Sequence, residues 1–305
     1  MKKPSETVVF FGSGPVAAES LRLLTRHCSV EAVITKPRAP HHKGAVPVLE
    51  LAKELGLPVH TAENRKQLDA LFAAATFESR LGVLIDFGII ISQEVINYFP
   101  LGIINSHFSV LPEWRGADPI TFAVLSGQPQ TGVSIMLLTA GMDEGPLLGY
   151  GEYDMPRGIT TPELTADLIS LSDALLQHDI PRYLAGEAHG VSQDVTGREV
   201  SYSRKLTKED GVIDWTKPAP VLEREIRAFI EWPKSRAQLG KLDVVATSAH
   251  VVDATGMPGT VIIIDKLPVV HCGEQALALD RLKPAGKQEM TGQAFLAGYK
   301  RQLGL

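Results

Sequence analysis

The sequence predicts an α/β domain built on a mostly parallel sheet, followed by a smaller all-β barrel. Three observations predict it. Strand-length apolar runs alternate with helix-period segments over the first two-thirds of the chain. A glycine turn, Gly12-Ser13-Gly14, follows the first apolar run. Late in the chain the pattern breaks into short strand-length runs separated by turn residues.

Taken in order, Thr7–Phe11 is a β-branched and aromatic strand. Pro15 then opens a helix in which Ala17, Leu21 and Leu24 recur at i, i+4 and i+7. Val30–Ile34 is the next strand, and Val48, Leu51, Ala52 and Leu55 mark a helix that stops at Gly56. Leu68, Leu71 and Phe72 give another helix, and Leu81–Ile85 another buried strand. Ser92 caps a short helix ahead of Pro100, and Gly102–Ile104 returns to the sheet. Pro119 to Leu125 reads as helix, Gly132–Leu138 as strand, and Leu164, Leu168, Leu171 and Leu175 as a long amphipathic helix. This order implies a Rossmann-like, mostly parallel sheet covered on both faces.

From Gly186 to Ser203 the apolar periodicity fades into Gly, Ser, Gln and charges. The expected division is a catalytic domain over 1–189, a linker over 190–205 and an OB-like domain over 206–305. In the last part a helix (Leu222, Ile226, Phe229, Ile230) precedes strand-like runs at Asp243–Ala246, His250–Val252, Thr260–Ile264, Val269–Cys272 and Ala276–Leu279.

Composition bounds the function. A hydrophobic content of 44% and a charged content of 21% over 305 residues describe a globular chain able to bury two cores. Cys28 and Cys272 stand far apart, which leaves no thiolate zinc site and no disulfide framework, and suits a reducing compartment. No His/Cys/carboxylate cluster has ligand spacing, so no metal is expected. The apolar run after the first lysines is too short for a signal peptide, and nothing approaches the ~20 apolar residues of a membrane span. A cytoplasmic monomer is expected. The net charge of −5 is uneven: residues 206–305 hold 13 Lys/Arg against 12 Asp/Glu, while residues 1–205 hold 17 against 23. A polyanionic partner would therefore need a local basic patch in the C-terminal part.

Gly12-Ser13-Gly14-Pro15-Val16-Ala17 fits G-x-G-x-x-A between strand and helix, the place of a dinucleotide fingerprint. The acidic residue expected at the end of the second strand is replaced by Thr35-Lys36. We read the turn as tight strand–helix packing; a nicotinamide-dependent oxidoreductase would rest on it alone.

The stretch N-S-H-F-S-V-L-P-E-W-R-G-A-D-P-I, residues 105–120, is more informative. Ligands of open parallel sheets sit outside the carboxyl ends of the strands. Asn105 and His107, two apart on an extended backbone, aim the same way. An amide donates to a developing oxyanion and an imidazole moves a proton near neutrality, a pair suited to acyl transfer. The simpler alternative is a capping Asn beside a surface His. Downstream, Gly141 and Gly145 allow a tight loop that presents Asp143. No serine elbow or activated cysteine supplies a nucleophile, so such a site would hold two substrates together. Arg115 could pair with a substrate phosphate or tether its loop to a carboxylate.

N-x-H-x-S-x-L-P-x-x-R-G-A-x-P-I, T-G-V-x-I-M and G-x-D-x-G together resemble the folate-dependent formyltransferases. Tyr202–Trp215, Arg227–Pro233 and Leu282–Met290 resemble that family's second domain, so the likeness covers nearly the whole chain. The resemblance implies transfer of the formyl group of 10-formyltetrahydrofolate to the α-amino group of methionyl initiator tRNA. It makes Asn105, His107 and Asp143 the catalytic trio: Asn105 holding the formyl oxygen, His107 stabilising the oxyanion, and Asp143 orienting His107 and helping the ammonium lose its proton. It sets the folate along Phe87, Gly88, Ile89 and Ile90, the turn at Ser109, Leu111 and Pro112, and the loop near Thr139 and Gly141. Lys36, Arg38, His42 and Lys43 in one loop, and Arg204, Lys205, Lys208 and Lys287 in the second domain, are the candidate tRNA contacts.

The chain departs from the family in three places. The loop Lys36–Pro47 is short, Phe87 stands where Tyr is common, and Glu144-Gly145-Pro146 follows Asp143. The short loop favours the alternative acceptor, an aminosugar nucleotide. A further alternative is an RNA-binding protein with an inactive enzyme domain, against which the complete trio speaks.

Overall fold

The computed structural model describes residues 7–38, 44 and 46–303. The elements begin with β1 (Thr7–Phe11), α1 (Pro15–Leu24), β2 (Ser29–Thr35), α2 (Pro47–Glu54), β3 (Val59–Thr61), α3 (Arg65–Ala74), β4 (Gly82–Leu84) and α4 (Gln93–Tyr98). They continue with β5 (Ile103–His107), β6 (Arg115–Gly116), α5 (Pro119–Ser126), β7 (Gln130–Leu137), β8 (Leu147–Asp154), α6 (Thr161–Leu184) and β9 (Tyr202–Ser203). The remainder is α7 (Ala219–Ala228), β10 (Ser235–Leu239), β11 (Leu242–Val252), β12 (Val261–Ile264), β13 (Leu267–His271), β14 (Ala276–Pro284), β15 (Met290–Thr291) and α8 (Gly292–Tyr299).

The chain divides into two compact units. One holds Met1–Pro119, Gln130–Asp154 and Thr165–Ser203; the other holds Ile120–Pro129, Met155–Leu164 and Arg204–Leu305. Two short segments within residues 1–189 thus group with the second unit.

The first unit is a seven-stranded sheet in the order β3-β2-β1-β4-β5-β7-β8. From β3 to β5 neighbouring strands run parallel, while β7 is antiparallel to both β5 and β8. The predicted mostly parallel sheet is present, with an antiparallel edge. Val9, Phe11, Ile34, Phe72, Phe87, Phe99 and Ile103 are buried in one core, where Phe11 meets Phe72, Phe87 and Phe99 at centroid distances of 5.7, 5.7 and 6.0 Å. Pro15 opens α1, Ser92 accepts from the Val95 N–H to cap α4, and Gly56 takes φ +67° just after α2, as the local signals predict.

The second unit carries an antiparallel, barrel-like sheet, β10-β11-β14-β13-β12, with β15 on β14. Leu222 and Ile226 of α7 are buried with Val244, Leu277, Leu279 and Phe295. The two expected runs at Asp243–Ala246 and His250–Val252 are one strand, β11, whose ladder shifts register around Ser248. A bulge there interrupts the two-residue alternation, so the sequence reads as two pieces.

Candidate active site

The apolar run before Asn105 ends at Ile104, yet the strand does not. β5 extends to His107, with Asn105 opposite Met136 and His107 opposite Ser134 on β7. Pairing with β4 stops at Asn105, and the ladder to β7 alone keeps the backbone in the sheet through His107 while its side chains turn polar. Ser106 points one way and meets Ser172 of α6, Oγ to Oγ at 2.7 Å. Asn105 and His107 share the opposite face and are 7% and 6% exposed.

His107 Nε2 lies 3.0 Å from the Trp114 carbonyl. A carbonyl only accepts, so Nε2 carries the hydrogen and Nδ1 is the nitrogen left for chemistry. That Nδ1 is 3.9 Å from Asp143 Oδ2, beyond hydrogen-bond reach. Asp143 Oδ2 instead accepts the Gly116 N–H at 2.7 Å. The Trp114 carbonyl thus holds the Nε2 side of His107, and the Asp143 carboxylate faces its Nδ1 side at 3.9 Å. The Asn105 side-chain amide has no protein hydrogen-bond partner among the described residues and is not among the polar atoms shut off from solvent.

Asp143 lies in the loop that follows β7, the strand beside β5. Because β7 is antiparallel, its last residue, Leu137, faces Ile104 near the start of β5. The loop from Leu138 to Pro146, not an aligned strand end, brings the carboxylate to His107. Gly145 permits the return: a Cβ there would lie 1.7 Å from the Leu137 carbonyl oxygen. Asp143 itself takes φ +51°, a left-handed conformation that Asp tolerates better than most residues.

The expected folate residues divide by exposure. Ile90 is 77% exposed, Gly88 and Thr139 are open, and Ile89 and Gly141 are half-buried. Phe87 is buried in the aromatic core, with its carbonyl accepting from Ser13 Oγ. Ser109 and Leu111 are fully buried and Pro112 is buried beside them. Ser134 Oγ donates to the Ser109 carbonyl and accepts from the Leu111 N–H, which pins this turn from β7. The side chains of Phe87, Ser109, Leu111 and Pro112 are thus buried, which leaves their backbone as the part that could face a ligand.

Of the expected cationic contacts, Lys36 donates to the Gly88 carbonyl, and Arg38 to the Gly44 carbonyl and Glu50. His42 and Lys43 lie outside the described residues. Arg204 is held bidentately by Asp210, whose carboxyl it draws well below the ordinary range. Lys205, Lys208 and Lys287 are exposed. Arg236 and Lys283 were missed by the sequence reading. Both stand opposite Val245, on neighbouring strands of one face, and Arg236 donates to the Lys208 carbonyl. Only register, invisible without the structure, groups them. Gln193 was missed as well. It is 5% exposed beneath the Asp143 loop.

The glycine turn is closed by the protein itself. Asp86, at φ +47° after β4, accepts the Ala17 N–H at the start of α1. A Cβ on Gly14 would meet Asp86 Oδ2 at 2.0 Å. Although Asp86 is exposed, desolvation of its carboxyl beside Gly14 first, then the Asp118 carboxylate, push it up to about 6 despite Lys36. A carboxylate of the chain itself thus takes the position a cofactor phosphate would need. Among the described residues no group of three His, Cys, Asp or Glu could hold a metal, and no helix is long and apolar enough to cross a membrane.

Asn105 and His107 on one face of β5, with Asp143 beside His107, are therefore set on a Rossmann-like sheet. The chain belongs to the formyl transferase family: the model described as "Formyl transferase" matches residues 7–175, and "Formyl transferase, C-terminal domain" matches residues 205–300. It is 35% identical over 302 residues to a methionyl-tRNA formyltransferase of Chloroflexus aggregans, covering 95% of this chain and 96% of that one. It is 38% identical over 295 residues to the enzyme of that name from Pseudomonas fluorescens, covering 92% and 90%. In fold it is similar to the N-formyltransferase of Helicobacter canadensis in complex with folinic acid and dTDP-3-aminofucose. That likeness has a TM-score of 0.67 at 16% identity, over 90% of this chain and 99% of that one.

Proposed function

We propose that this protein transfers the formyl group of 10-formyltetrahydrofolate to the α-amino group of methionyl initiator tRNA, the step that readies the initiator for protein synthesis. The observation that carries the reading is Asn105, an amide without a protein partner among the described residues, on the strand face it shares with His107, beside which Asp143 lies. The full-length relatives supply the acceptor.

The folate supplies a formyl carbon already activated for attack by an amine. Asn105 donates to the formyl oxygen and stabilises the negative charge that builds there. His107, its Nε2 hydrogen held by Trp114, uses Nδ1 to take a proton from the attacking amine. The Asp143 carboxylate, 3.9 Å away, stabilises the imidazolium so formed. As the new C–N bond forms, the bond from the formyl carbon to the folate nitrogen breaks, and that nitrogen gains the proton the amine gave up. The exposed Ile90 and half-buried Ile89 offer an apolar face to the pterin, and the backbone of Gly88 an edge. Lys205, Lys208, Lys283, Lys287 and Arg236 are among the cations of the second unit that could meet tRNA phosphates. The protein works in the cytoplasm as a monomer, with residues 1–189 catalytic, 190–205 linking and 206–305 binding tRNA.

An aminosugar nucleotide as acceptor rests on likeness of fold and on the short loop at 36–47. Offering purified protein methionyl initiator tRNA and a UDP-aminosugar side by side, with 10-formyltetrahydrofolate, separates the two. Formyl-methionyl-tRNA alone is the expected product; product on the sugar alone overturns the acceptor.

A further inference from the structure

Asp143 is a non-glycine residue in left-handed backbone conformation on a loop that must reach back to His107. Such a conformation is disfavoured for a residue with a side chain and persists only where neighbours enforce it. The neighbour here is Gln193, in the segment that the sequence presents as linker. Its Nε2 donates to the Asp143 carbonyl at 2.7 Å and to the Gly145 carbonyl at 2.9 Å. Its Oε1 accepts from Arg115 Nη2 at 2.7 Å and Nε at 3.2 Å. Two carbonyls can only accept and a guanidinium can only donate, so the amide has one possible orientation, and all four of its hydrogen-bonding positions are used. Arg115 Nη1 also lies 3.5 Å from Glu144 Oε1, and the next residue, Gly116, gives its N–H to the Asp143 carboxylate. Arg115 therefore tethers the loop.

We propose that Gln193 is a positioning residue for formyl transfer: it holds the Asp143 backbone in the conformation that keeps the carboxylate beside His107. The inference deepens the function proposed above and rests on it. Gln193→Glu is the sharpest probe, because it keeps the side-chain shape and an acceptor for Arg115 while deleting both donors to the loop carbonyls; Gln193→Ala is the second variant.

The experiment measures formyl transfer to methionyl initiator tRNA for each variant, alone and combined with Asp143→Ala, with the melting temperature alongside. Each Gln193 variant alone is expected to lower kcat about 10- to 100-fold with KM for the folate nearly unchanged. On top of Asp143→Ala it should cost less than about 2-fold, since residues acting through one group are not additive. The same fold-loss in both backgrounds would show a general structural role and overturn the proposal. A substrate-free readout separates its failure from that of the functional reading: the NMR signal of the His107 ring Cε1–H. Gln193→Glu should move that signal in the direction that Asp143→Asn moves it. A signal unmoved by Gln193→Glu but moved by Asp143→Asn overturns the proposal, whichever acceptor the enzyme uses.

Discussion

Asp86 and Asp143 use the same backbone device to opposite ends. Each is a non-glycine residue with positive φ, at +47° and +51°, and each accepts a backbone N–H through its carboxylate, from Ala17 and Gly116 respectively. Asp86 turns inward to the start of α1 and fills the turn where an anion could sit. Asp143 turns to an imidazole whose Nδ1 has no nearer partner. The role of a carboxylate at a bend is set by the group that the bend faces. A fingerprint of glycines is therefore poor evidence of a site, while an unpaired amide beside an oriented imidazole is better evidence.

The largest effects should fall on the Asp143 side. Replacing His107 by Ala, or Asn105 by Ala, is expected to lower kcat by about 10²- to 10³-fold in a formyl-transfer assay while leaving the melting temperature near that of the parent. Equal losses in stability and rate would assign these residues to packing.

Gly145→Ala comes next and acts through the fold. With its Cβ 1.7 Å from a backbone oxygen, the loop must move, and we expect a loss of about 3 kcal/mol or more from denaturant unfolding. An unfolding midpoint equal to the parent's would mean that the loop closes differently.

The Asp86 side should answer to pH. Its folded carboxyl is raised from 3.8 to about 6, so the native state holds the proton more tightly than the unfolded chain. The stabilising contribution is complete below the unfolded value and is lost as pH rises to about 6. Asp86→Asn should therefore raise the melting temperature at pH 7.5, with the gain shrinking to nothing near pH 4. A gain independent of pH would remove burial of the charge as its cause.

The smallest effect tests the second unit. Reversing Lys205 and Lys287 to Glu should weaken tRNA binding and flatten its salt dependence, by about 1 in log–log slope for each phosphate no longer neutralised. An unchanged slope would take these lysines out of the interface.

The two carboxylates also show how much the sequence could disclose. The apolar run into Asn105, the two-residue spacing to His107 and the glycines around Asp143 were legible because strand period and loop chemistry are local. That β5 runs on through His107 was not, because ladder pairing on a central strand leaves no mark in hydrophobicity. The direction of β7 was equally hidden: Gly132–Leu138 reads alike parallel or antiparallel. Gln193 lay in a segment whose lost periodicity suggests a linker, and nothing local distinguishes an amide that saturates a buried network from one in solvent. Short helix α8 was passed over because glycines at 292 and 298 leave little periodicity to detect.

The most direct test of the account is single-turnover formyl transfer from 10-formyltetrahydrofolate to methionyl initiator tRNA by the parent protein and by the Asn105→Ala, His107→Ala and Asp143→Ala variants. The account predicts rapid formation of formyl-methionyl-tRNA by the parent and slowing of at least about 10²-fold in each variant, with tRNA binding retained. Transfer at parental rate in any of the three would contradict the assignment of the oxyanion, proton and charge-stabilising roles to this trio.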